Sequence, residues 1–140
     1  MAVAADAGLV LELYKLRQEE TLRAARKFIA FEFWPKDLEE LRAVSRAMGT
    51  EKNAYWRQTI SYWEMAASLV LRGAVDADLF LDSNVEGLFL YSKFHHWHAE
   101  TEKESGNLFM KKTATLIEQY PAAKAVYEAS LKNLQGRLPK

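Results

Sequence analysis

Between positions 56 and 70 the chain places Trp56, Ile60, Trp63, Ala67 and Val70 at alternating steps of four and three, and that beat leaves little choice of fold. An α-helix returns to one face every 3.6 residues, whereas a half-buried strand alternates at every second position, so only a helix gathers these five side chains. Tyr55, Tyr62 and Leu69 widen the apolar face, while Arg57, Ser61, Ser68 and Arg72 fall opposite. A face this wide has to be covered by other elements. The spacing predicts a central core helix over 51–72.

The same period recurs on either side of it. Before Pro35, Leu11, Tyr14, Leu22, Ala25, Ile29 and Phe33 form a stripe broken only by Gln18, which predicts one long helix from about 6 to 33. At 1.5 Å per residue such a helix is about 40 Å long, more than a compact domain of this size spans, so a kink or an overhang is expected. Asp37 and Glu40 open a helix over about 38–48, closed by Gly49 as Gly73 closes the next. Asp76 caps a short turn carrying Leu79, Phe80 and Leu81. Ser83 and Glu86 form a capping-box pattern ahead of a longer helix whose stripe is Leu90, Phe94, Trp97 and Thr101. Within its first turns Gly87 permits close backbone approach. After Gly106, Phe109, Thr113, Leu116 and Tyr120 continue the pattern, and Pro121 fits the first position of a last helix. No segment alternates as a strand does. The expected fold is all-α, a compact bundle of five to seven helices with a long N-terminal helix, in a single domain over residues 1–140.

Composition narrows the setting. The chain has no cysteine, which removes disulfides, thiolate metal sites and a cysteine nucleophile and points to a reducing, cytoplasmic compartment. The first eight residues run into Leu9-Val10-Leu11-Glu12 without a basic segment, so no signal peptide is expected. Nineteen basic residues balance nineteen acidic ones, so the general electrostatic attraction to nucleic acid or anionic membrane is missing, and neither is an expected partner.

Several groups of residues resemble a bacterial family of all-helical domains of unknown function. They are Leu13-Tyr14-Lys15-Leu16-Arg17, Leu22-Arg23-Ala24-Ala25-Arg26, the exit from Phe31 to Pro35, and Tyr62-Trp63-Glu64 leading through Val70-Leu71-Arg72-Gly73 into Val75-Asp76-Ala77-Asp78-Leu79. The resemblance spans about residues 13 to 100 and implies helices, with no catalytic residues to carry over. Members of that family often have a membrane helix ahead of this domain; none precedes it in this sequence, so a membrane-tethered role is not expected.

Four features bear on function. On a helix His95, His98 and Glu102 fall in one narrow sector, and two imidazoles with a carboxylate can ligate an ion. This is the basis for a metal-binding or metal-assisted reading, although no Glu-x-x-His pair accompanies it. Glu64, at the margin of the core helix, is where partial burial could make a general base. The helices around Gly49 suggest a DNA-binding helix-turn-helix, but Thr50 and Gln58 occupy positions that such a motif buries, and Glu51 would face phosphate. Leu9, Leu13 and Leu16 lie off the main stripe and predict an oligomer interface, a homodimer through the N-terminal helix. No phosphate-cradling glycine loop, nucleophile elbow or cofactor motif occurs. The reading these features favour is a non-enzymatic interaction or scaffold module with an unidentified protein partner and no cofactor.

Overall fold

The computed structural model describes residues 1–137, and nine α-helices order them. The centre is the helix over Glu51–Leu71 (α4), with Trp56, Trp63, Ala67 and Val70 buried and Ile60 packed at the edge of the core. Thr50 caps it, its hydroxyl accepting from the Asn53 N–H at 3.2 Å. Four more helices surround it: Glu20–Arg26 (α2), Leu38–Ser45 (α3), Glu86–Lys93 (α6) and Lys111–Gln119 (α8). Pro121–Leu134 (α9) closes the far side against α6 and α8, its proline in the first turn as expected. Ala4–Gln18 (α1) runs beside α2 and reaches the short Ala77–Leu81 (α5), and His98–Ser105 (α7) completes the set. The all-helical expectation holds, with more and shorter helices than the five to seven predicted.

Three of the departures have local causes. The N-terminal stretch is not one helix. Glu19 adopts an extended ψ of 136° and bends its own carboxylate back to accept the N–H groups of Thr21 and Leu22 at 3.0 and 2.9 Å, so it ends α1 and caps α2. Those same hydrogen bonds hold the Glu19 carboxyl below its ordinary pKa. The break shifts the helical phase. Leu22, Ala25 and Ile29 face inward as predicted, but on α1 it is Leu13 and Arg17 that are buried, while Leu11 and Tyr14 are exposed.

The second departure follows directly. Residues Lys27–Glu32 form a π-helical turn, in which the Phe33 N–H reaches back five residues to the Phe28 carbonyl at 2.8 Å. The third is at Phe94, which ends α6. A 3₁₀ turn over His95–Trp97 intervenes before α7, although Leu90, Phe94 and Trp97 are buried as the stripe requires.

Candidate functional site

Arg17, in the last turn of α1, shares the inward face of Leu13 and is 7% exposed. Its Nη1 donates to the Asn84 side-chain carbonyl at 2.5 Å and to the Tyr62 hydroxyl at 3.4 Å. The guanidinium lies over the rings of Trp63 and Tyr14, 5.4 and 5.6 Å from their centres. Tyr62 in turn donates to the Leu13 carbonyl at 2.6 Å, and burial pushes its pKa up, so it stays a neutral phenol. Each of these partners is uncharged.

The nearby acid is already taken. Glu86, in the first turn of α6, accepts Arg26 Nε and Nη2 at 2.8 and 3.1 Å in a two-pronged pair, and its Oε2 also accepts the Trp63 indole N–H at 2.8 Å. Among the described residues no carboxylate lies within ion-pair distance of Arg17, and its Nε and Nη2 donate to no protein acceptor. Those two nitrogens keep contact with solvent, so the guanidinium is largely but not wholly desolvated, and a charge so placed without a counter-ion is costly.

The Arg17 side chain borders a cavity of about 290 Å³ walled by Phe31, Trp63, Val85 and Phe89, with Ser83 and the Arg26–Glu86 pair also on its lining. A second cavity of about 460 Å³ adjoins it, sharing Arg26 and Phe31 and rimmed by Glu20, Arg23 and Lys27. Phe31, 64% exposed, stands between them on the π turn.

The π turn rests on a second buried cation. A π turn displaces carbonyls from the regular helical ladder, and Lys93 Nζ takes up those of Ile29 at 2.6 Å and Ala30 at 3.2 Å. Lys93 is 1% exposed, with the Trp34 ring 4.1 Å from its nitrogen and Arg137 stacked on the same ring at 3.5 Å. Burial, helped by the Arg137 charge, lowers its pKa to about 7.

The predicted metal sector does not assemble. With the helix interrupted after Phe94, His95 shares a 2.8 Å hydrogen bond with the Tyr127 hydroxyl. His98 turns toward Tyr91, with ring centres 4.3 Å apart, and its Nε2 is buried without a partner. Burial and the neighbouring His95 lower the His98 pKa to about 4. Among the described residues no three His, Cys, Asp or Glu side chains converge as ligands, so His95, His98 and Glu102 do not form the predicted set.

Glu64 has a structural task. It accepts the N–H groups of Lys112 and Thr113, both at 3.0 Å, and the Thr113 hydroxyl at 2.8 Å, capping α8 from α4. Of the predicted interface, Leu13 is buried in its own chain, Leu9 packs partly against the core, and Leu16 is 48% exposed. The apolar surface left open on α1 is therefore Leu11, Tyr14 and Leu16. The helix pair around Gly49 is present as α3 and α4, with the aromatic face of α4 turned into the core.

Sequence reasoning missed Arg17, Lys93 and the role of Glu86. The Ser83 and Glu86 pattern predicts a capping box, but Val85 precedes α6 and no side chain caps that end. The available signal was positional: Arg17 stands four residues after Leu13, and Lys93 adjoins Phe94 in an otherwise apolar run.

No helix among the described residues is long and apolar enough to cross a membrane. No curated protein and no solved structure matches the chain. A family described as a domain of unknown function (DUF4760) matches residues 2–120. That match takes in α1 through α8, and with them Arg17, Arg26, Trp63, Glu86 and Lys93, so the chain belongs to this family of domains of unknown function.

Proposed function

We propose that this domain is a non-enzymatic recognition module that takes a carboxylate-bearing segment of a partner protein into the groove between α2, the π turn and the start of α6. The observation that carries this is Arg17, buried without a counter-ion at the wall of an open, aromatic-lined cavity. Of the charges around the groove, Arg17, Arg23, Arg26 and Lys27 face Glu20, Glu32 and Glu86. One positive charge is left over, and Arg26 and Lys27 already have acidic partners in Glu86 and Glu32. A planar guanidinium held between aromatic rings suits a carboxylate, and an exposed phenylalanine beside it suits an apolar neighbour.

Fluorescence anisotropy with labelled decapeptides tests the reading. Glu/Leu-rich peptides should bind saturably and Lys/Leu-rich peptides should not. Phe31→Ala, a change at an exposed position, should weaken binding at least fivefold, and Arg17→Met at least tenfold, with helicity unchanged by circular dichroism. Equal binding of the basic peptides, or unaltered binding by Phe31→Ala, would refute it.

A further inference from the structure

The two cavities differ in a way that says which carboxylate the groove takes. The one that Arg17 borders is the smaller, about 290 Å³; Phe31, Trp63, Val85 and Phe89 form its apolar wall, and Ser83 and the ion-paired Arg26 and Glu86 complete the lining, which leaves Arg17 as the cation without an acidic partner. A ligand that satisfies both features has to present an apolar side chain and a carboxylate from almost the same point. A chain terminus does this, because the last residue carries both groups on a single Cα. An internal aspartate or glutamate holds its carboxylate on its own side chain and needs a second residue to fill the apolar wall, with the peptide continuing in both directions.

The surroundings provide for one exit. The larger cavity of about 460 Å³ shares only Arg26 and Phe31 with the smaller; its surface is as apolar as that of the smaller, but Glu20, Arg23 and Lys27 stand on its rim. A peptide entering C-terminus first would leave past Phe31 along this rim, where its backbone carbonyls meet Arg23 and Lys27.

We infer that the groove captures the C-terminus of a partner chain: Arg17 takes the terminal α-carboxylate, the apolar last side chain packs among Trp63, Val85 and Phe89, and the preceding residues run past Phe31 toward Arg23 and Lys27. Capture of a chain terminus is a recurring mode of peptide recognition, and backbone amides often hold the carboxylate. Here a guanidinium fixed by Asn84 and flanked by Trp63 and Tyr14 takes that place. The inference rests on the recognition reading above and specifies its ligand.

The decisive experiment varies the ligand rather than the protein, so it does not depend on how a variant folds. Octapeptide pools randomised at every position but the last, and ending in Leu, Phe, Ser or Lys, are made as free acids and as C-terminal amides. Each is titrated into the ¹⁵N-labelled full chain, with the Trp63 indole and Arg17 Nε–H resonances as reporters. Free acids ending in Leu or Phe should shift both resonances saturably. Amidation should weaken binding at least tenfold, and a final Ser or Lys at least fivefold. N-acetyl-leucine, which offers the terminal residue alone, should bind at least tenfold more weakly than the peptides.

Amides that bind within twofold of the acids would overturn the terminus while leaving an acid-dependent groove standing. N-acetyl-leucine binding as tightly as the peptides would overturn the peptide in favour of a small carboxylic acid. Absence of any shift with every pool would overturn this inference and the recognition reading together.

Discussion

Lys93 shows how a single buried cation sets a pH dependence. Its proton is held in the unfolded chain up to a pH near 10.5 but is lost in the native state at about 7. Below 7 both states are charged and the burial cost is constant. Between 7 and 10 the unfolded state binds the extra proton, so raising the pH stabilises the fold. Above 10 the hydroxyls of Tyr62, which is buried, and of Tyr91 and Tyr127, which are partly buried, act in the opposite sense, because desolvation raises their pKa values. The midpoint of urea unfolding should therefore climb from pH 7 to 10, and Lys93→Met should flatten that climb. At pH 9 the variant should lose about 1–3 kcal/mol, because the carbonyls of Ile29 and Ala30 lose their donor. A slope unchanged by Lys93→Met would show that other groups set it.

Charged residues are where the sequence was least legible. Lysine, arginine and glutamate are rarely buried, so Arg17, Lys93 and Glu86 read as surface until their partners come into view, and those partners lie far away in the chain.

Among the elements, α4 was readable because its stripe and its glycine stop agree, and α3 because Asp37 caps it as its sequence indicates, accepting from the Glu40 N–H at 2.8 Å. The first 33 residues were not, because glutamate is an uncommon cap and the stripe from Leu11 to Phe33 keeps its period across the break at Glu19. The π turn leaves no periodic trace in six residues. The close approach expected at Gly87 is to Trp63 of α4, a partner the sequence does not name. A Cβ added to Gly87 would sit 3.1 Å from the Trp63 Cβ and 3.3 Å from its Cγ, closer than packing allows without movement. Gly87→Ala should shift the Trp63 fluorescence, as overpacking displaces the indole, and should cost up to about 2 kcal/mol in denaturant unfolding once the alanine's helix-propensity gain of about 0.5–1 kcal/mol is set against the overpacking. A neutral result would mean that the two helices separate at little cost.

At the scale of the whole molecule, Trp63 joins the core to the groove. Its ring packs edge-on to Tyr62 at 4.9 Å, lies under Gly87, flanks Arg17, and donates its N–H to Glu86. Trp63→Ala should cost about 3–5 kcal/mol by chemical unfolding. Trp63→Phe keeps most of the packing and should cost about 1–3 kcal/mol, chiefly through the lost hydrogen bond to the partly buried Glu86 carboxylate. If the two variants were equally destabilised, the indole N–H rather than the packing would dominate.

The cap that Glu64 places on α8 has a consequence for what orders that helix. Free N–H groups of an α-helix are usually met by residues just ahead of it. At α8 the preceding residue, Met110, is in a left-handed conformation with φ 45° and supplies no side-chain acceptor, and the carboxylate comes from 48 residues earlier. A peptide of nine residues seldom stays helical alone. The first turn of α8 therefore takes its cap from α4 rather than from its own sequence, and loss of the Glu64 carboxylate would leave the N–H groups of Lys112 and Thr113 without that acceptor.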